Sequence, residues 1–151
     1  MSWFGVGRME RVVGRMKSEQ LIEIFEASLL PTLDQVAAQS GSSSVNDVVF
    51  QQDNDSKHKS QRTKDWLSSK SISTMIWPSQ SPDLNPIEHL WGVVKRKLGE
   101  YQETPKGMHE LWEGVGEVWS KIDVETCRSL IRSMESRVQA VLKGKGGHTK
   151  Y

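Results

Sequence analysis

Three of the chain's five prolines fall between residues 78 and 86, in the run WPSQSPDLNP at 77–86. Each proline lacks an N–H and fixes φ, so neither a helix interior nor a central strand can cross such a stretch. It reads as a stiff, extended loop that stops any strand before it at Pro78. Its last two residues, Asn85-Pro86, read as a helix start. Asparagine caps, and proline takes the first helical position, where a missing N–H costs nothing.

Upstream of this loop, short apolar runs alternate with helical stripes. Residues 3–15 alternate loosely (Val6, Met9, Val12, Val13 among Arg and Gly) and predict one or two short strands. Ser18 reads as an N-cap before Leu21, Ile22, Phe25 and Leu29 at helical spacing. Pro31 predicts a kink or restart, with helix to about Gln39, and GSSS at 41–44 reads as a connector. Val48-Val49-Phe50 marks a buried strand within 45–52, ended by the turn formers Asp53-Asn54-Asp55-Ser56. Residues 60–69 read as a short helix and Ile72 to Trp77 as a strand.

Downstream, the pattern is helical throughout. Ile87, Leu90, Trp91, Val94 and Leu98 form the stripe of the helix opened by Asn85-Pro86. Met108, Leu111, Val115, Val118 and Ile122 form a second stripe. Asp123 caps a third helix, with Cys127, Ile131, Met134, Val138 and Val141 facing inward. Residues 1–142 make one domain, and KGKGGHTKY at 143–151 is expected to be a disordered basic tail. Strands alternating with helices predict an α/β fold with helices on the faces of a sheet.

Composition narrows the class. At 151 residues the chain can bury a real core, and six tryptophans suggest that it does. A formal charge of +1 excludes histone-like binding by bulk charge, so nucleic-acid contact would need a local basic face. The basic surplus lies in the C-terminal two thirds. A single cysteine excludes an intrachain disulfide and a cysteine-rich zinc module. No apolar run approaches the roughly 18 residues of a membrane span, and the N-terminus is too polar for a signal peptide. A soluble intracellular protein without a membrane partner is expected.

Two carboxylates stand out. Asp53 follows a strand directly, where ligands of open α/β sheets usually sit, although from position alone an Asx-turn or a cap on the following helix is the commoner role. Glu88 stands at a helix start, where a capping box with Asn85 is the structural alternative. The two roles can coexist. Metal-assisted phosphoryl transfer wants carboxylates from separate elements around cations about 3.5–4 Å apart, and magnesium prefers such oxygen ligands.

QQDNDSKH at 51–58 and WPSQSPDLNPIEHLW at 77–91 resemble the signature blocks of Tc/mariner-type transposases. Thirty-four residues separate Asp53 from Glu88, the interval of the Tc-type Asp, Asp, 34 residues, Glu triad. Weaker similarity runs from GRMKSEQ at 14–20 through SLLPT at 28–32 to the terminal TKY. The resemblance implies a ribonuclease-H-like α/β fold bearing a DDE endonuclease that cuts and rejoins transposon DNA ends in the nucleus. Asp53 matches the second catalytic Asp and Glu88 the catalytic Glu, both ligands of Mg2+ or Mn2+. The two carboxylates are then expected to approach closely enough to share one metal.

The family's first catalytic Asp lies further upstream than this sequence reaches, as do its DNA-recognition helices. The expectation is therefore a fragment whose sheet lacks its first strand, inactive by itself. The alternatives are a non-catalytic nucleic-acid-binding remnant or a decayed one. An exposed sheet edge would invite self-association. Ser56, Lys59 and His89 depart from the residues usual in the family. Lys57 and His58, beside Asp53, and the basic run Lys95-Arg96-Lys97 are the candidate DNA contacts; a solvated loop is the alternative for the first two, and a plain solvent face is the usual reading of such a run. No calcium loop, P-loop or zinc spacing is present.

Overall fold

The computed structural model describes residues 1–42, 44–78, 81–101, 103–147 and 149. The chain divides into two compact units, one of Gly7–Gln80 and one of Met1–Val6 with Ser81–Tyr151.

In the Gly7–Gln80 unit, α1 (Ser18–Ile24), a π turn (Phe25–Leu29) and α2 (Leu30–Ser40) follow one another without a break. Pro31, expected to kink or restart the helix, is accommodated by the π turn just before it. A proline in an α-helix leaves the carbonyl four residues back without its bond and crowds it. Here the Leu30 N–H reaches back five residues to the Phe25 carbonyl, and Thr32 Oγ1 donates to the Ser28 carbonyl at 2.6 Å. Gly41 closes α2 at φ +73°, a left-handed conformation that suits glycine.

Ser44 caps a short 3-10 turn, Val45–Asp47, where strand was expected. Among the described residues only β1 (Val49–Phe50) and β2 (Ser73–Thr74) form a ladder. They run parallel, Val49 opposite Ser73 and Phe50 opposite Thr74, with α3 (Gln61–Ser69) as the crossover. The Ser60 hydroxyl caps α3 by accepting from the Thr63 N–H at 3.2 Å. Both strands are thus shorter than their apolar runs, and Val49 is 55% exposed rather than buried.

The strands expected within 3–15 do not form. Among the described residues this stretch offers one isolated bridge, Ser2 to Gly5, and irregular backbone thereafter. A strand needs a ladder partner, and Gly5 and Gly14, at φ +125° and +75°, leave the extended region altogether. The core joins Leu21, Phe25 and Leu33 to Leu67 and Ile72. Phe50 meets Phe25 edge-on, ring centres 5.6 Å apart.

The second unit is helical. A 3-10 turn (Pro82–Leu84) leads into α4 (Pro86–Gly99), α5 (Met108–Ser120), α6 (Val124–Arg132) and α7 (Met134–Lys143). Leu90, Val94, Val118, Ile122 and Cys127 form its core, and Met1 and Val6 pack on it. Trp91 and Trp119 stack at 5.1 Å. The single helix expected after Asp123 breaks at Ser133, whose hydroxyl donates to the Leu130 carbonyl at 2.6 Å. Met108, Leu111 and Val138, expected to face inward, are exposed.

Of the tail expected from 143, Lys143 closes α7 and Gly144–Gly147 form hydrogen-bonded turns. Thr149 donates to Asp83 Oδ2 at 2.9 Å. Residues 148, 150 and 151 lie outside the described residues. No helix among the described residues is long and apolar enough to cross a membrane.

Candidate active site

Asp53 lies three residues beyond β1, at the strand's carboxyl end. Its side chain is 56% exposed. Oδ1 accepts the Asp55 N–H at 3.0 Å, the Asx-turn of the structural reading, and stands 2.6 Å from His58 Nδ1. Oδ2 takes no hydrogen bond among the described residues, so one oxygen shapes the loop while the other faces outward.

The loop is pinned from three sides. Asn54 Nδ2 donates to the Trp77 carbonyl at 2.7 Å, joining the two signature blocks. Thr63, fully buried, donates its hydroxyl to the Lys57 carbonyl at 2.8 Å. Asp55 accepts the Lys57 N–H at 2.9 Å and pairs with the Lys57 ammonium at 2.9 Å. Those two bonds hold the Asp55 carboxyl below its usual range, the backbone one foremost. Lys57 is therefore committed to Asp55, and His58 to Asp53. Asp53 borders an open cleft of about 690 Å³ that also touches Lys59, Lys64 and residues 74–77. In its lining the Gln52 side-chain oxygen is buried without a hydrogen-bond partner among the described residues.

Glu88 belongs to the other unit, in the first turn of α4. The capping box does not form: the Asn85 N–H goes to the Pro82 carbonyl at 2.9 Å, and no side chain caps the helix. The Glu88 carboxylate is left exposed on a cavity of about 540 Å³ shared with Asp83, His89 and Arg96. Beneath it, Arg137 Nη1 donates to the Asp83 carbonyl and to His89 Nδ1, each at 2.9 Å, and Nε donates to Ser133 Oγ at 2.8 Å. Burial, then the Arg137 charge, lowers the His89 pKa. Lys95, Arg96 and Lys97 are exposed toward the end of α4, where cations favour the helix dipole.

Arg137 escaped the sequence reading although it sits between Met134 and Val141, three residues before and four after it, on the inward face of α7. A charged residue at a core position was the signal.

Carboxylate oxygens are the donors magnesium prefers, and it is commonly bound by one or two of them together with waters and substrate phosphates. Asp53 and Glu88, each taken by itself in its own unit, are exposed carboxylate donors of that kind. No cluster of three or more acidic, His or Cys ligands occurs among the described residues. Asp34 lies in α2 and Asp47 in the 3-10 turn, so neither joins Asp53 at the strand end.

Comparison with known proteins places these features in a class. The structure matches a Mos1 transposase catalytic domain solved with raltegravir and magnesium at a TM-score of 0.80 and 19% identity. The match covers 99% of this chain and 74% of that one, and it defines the ribonuclease-H-like fold. The chain is 36% identical over 146 residues to the Tc1 transposase of Caenorhabditis elegans and 35% to the Tcb1 transposase of Caenorhabditis briggsae. In both cases 97% of this chain is covered and 50% of the relative. The chain thus spans about half the length of the curated relatives it matches. The DDE superfamily endonuclease family matches residues 6–109, and the chain belongs to it, in its Tc/mariner-type branch.

Proposed function

We propose that this chain is the part of a Tc-type transposase that supplies Asp53 and Glu88 to metal-dependent cleavage and rejoining of transposon DNA ends in the nucleus. The observation that carries the reading is that Asp53 and Glu88, at the family's 34-residue interval, are both exposed carboxylates at element ends, Glu88 without the cap that would occupy it. Asp53 and Glu88 would hold a divalent cation, which when bound supplies Lewis-acid activation of the scissile phosphate. His58 fixes the Asp53 carboxylate, Thr63 fixes the loop beneath it, and Arg137 fixes the start of α4 beneath Glu88. Lys95, Arg96 and Lys97 offer cations to the DNA backbone.

The 151-residue polypeptide by itself holds two of the three carboxylates and is expected to bind metal and DNA without cutting. Manganese titration followed by electron paramagnetic resonance tests the metal role. Asp53→Asn and Glu88→Gln should each weaken binding about tenfold or more, and an unchanged isotherm in both would overturn the reading. Robust metal-dependent nicking by this polypeptide, lost in Glu88→Ala, would overturn the claim that it does not cut.

A further inference from the structure

The proton of His89 has one place to sit. Arg137 Nη1 lies 2.9 Å from His89 Nδ1, and a guanidinium has donors only. Nδ1 must therefore accept, which puts the single proton of the neutral ring on Nε2. Nε2 makes no hydrogen bond among the described residues, and His89 borders the cavity of about 540 Å³ beside Glu88. The buried arginine thus turns His89 into a neutral N–H donor at the cavity. Since His89 departs from the residue usual in the family, this donor is the chain's own.

Gly92 and Arg96 continue the same face of α4 and border the same cavity. Arg96 follows His89 by nearly two turns, about 10 Å along the helix. It is exposed and makes no ion pair among the described residues. Lys95 and Lys97 project about 100° to either side of it. Between donor and cation, a Cβ on Gly92 would meet nothing. Glycine weakens a helix interior, and packing gives no reason for it here; it does let a ligand backbone approach closely. We propose that a DNA strand lies along this face of α4 with its backbone over Gly92, one phosphate oxygen accepting from His89 Nε2–H and another phosphate on Arg96. The inference rests on the DNA-processing reading above and gives that DNA its register beside Glu88.

Fluorescence anisotropy of a labelled blunt duplex in EDTA tests it, since the repulsion from Glu88 is then the same in every variant. His89→Asn keeps an acceptor for Arg137 and removes the Nε2 donor. It should hold the wild-type urea midpoint and weaken binding about three- to tenfold, the worth of one hydrogen bond, with the salt slope unchanged. Arg96→Gln should flatten the dependence of log K on log salt by about one unit, and Lys95→Gln less. Gly92→Ala should raise the urea midpoint, as alanine does in a helix interior, yet weaken binding by a similar factor. Should His89→Asn lose stability, Gly92→Ala decides alone. Long-range proton–nitrogen correlation spectra should find the His89 proton on Nε2. Wild-type affinity in a folded His89→Asn or in Gly92→Ala, or a proton on Nδ1, would overturn this inference and leave the manganese titration of Asp53 and Glu88 standing. Absence of any DNA binding by wild type would overturn both.

Discussion

Arg137 donates a hydrogen bond to His89 Nδ1 at 2.9 Å from a position only 2% exposed, so a buried guanidinium joins α7 to the first turn of α4. The same group reaches the Asp83 carbonyl and Ser133 Oγ, tying the proline-rich loop and the α6–α7 break into one network.

Arg137→Met should therefore destabilise the helical unit by about 3 kcal/mol, since it strands several acceptors and each bond to a charged donor is worth roughly 1.5–3 kcal/mol. Arg137→Lys should recover little, because an ammonium cannot span three divergent acceptors as a planar fork does. Urea denaturation of the three proteins gives the comparison. Equal midpoints would show that the network contributes nothing.

Thr63→Val keeps the shape of a fully buried side chain and removes its bond to the Lys57 carbonyl. A loss of about 1–2 kcal/mol is expected. Amide exchange over 53–60 should quicken more than exchange in α1 and α2. Uniform acceleration throughout the unit would contradict a local pin.

Cys127 is completely enclosed, and burial raises its thiol pKa above the ordinary value. A raised pKa means less thiolate at any pH below it, and the thiolate is the reactive form. Native protein should resist an aromatic disulfide reagent at pH 8 and react fully in urea, with a native rate set by opening rather than by pH. Rapid native labelling would contradict the enclosure.

β1 pairs with β2 alone among the described residues, and Val49 is largely exposed. Self-association through this edge is expected to appear as a concentration-dependent shift in sedimentation velocity. Val49→Lys should suppress it, as charge does on natural edge strands. An unshifted wild-type profile across a hundredfold concentration range would remove the proposal.

How much of this was legible in sequence depended on whether the determinant was local. Pro86 as a helix start and a short helix over 60–69 depend on a few neighbouring residues, and both appear in the structure. The apolar run at 45–52 was longer than its strand because strand length depends on a partner elsewhere, and β2 offers two paired residues. Residues 3–15 carried alternation but no ladder. Glu88 satisfied the sequence pattern of a capping box, yet the competing Pro82 carbonyl took the Asn85 N–H, a choice no pattern encodes. Arg137 was missed because polar residues are read outward by default, although Met134, Ala140 and Val141 at helical spacing from it are apolar.

The π turn at Phe25–Leu29 has a consequence for side-chain phase along the whole rod from Ser18 to Ser40. Leu21, Phe25, Leu29, Leu33 and Ala37 recur strictly every fourth residue, and in an unbroken α-helix each such step overshoots a full turn by about 40°. Four steps would carry Ala37 nearly to the opposite side of the axis from Leu21. The wider turn absorbs extra residues and takes back much of that drift, so Leu21 and Ala37, at opposite ends of the rod, are both buried. Removing one residue from 25–29 would restore ordinary winding with the stripe in phase. Forcing the present residues into an unbroken α-helix would instead rotate the half of the rod beyond by about 100° and turn its apolar stripe toward water.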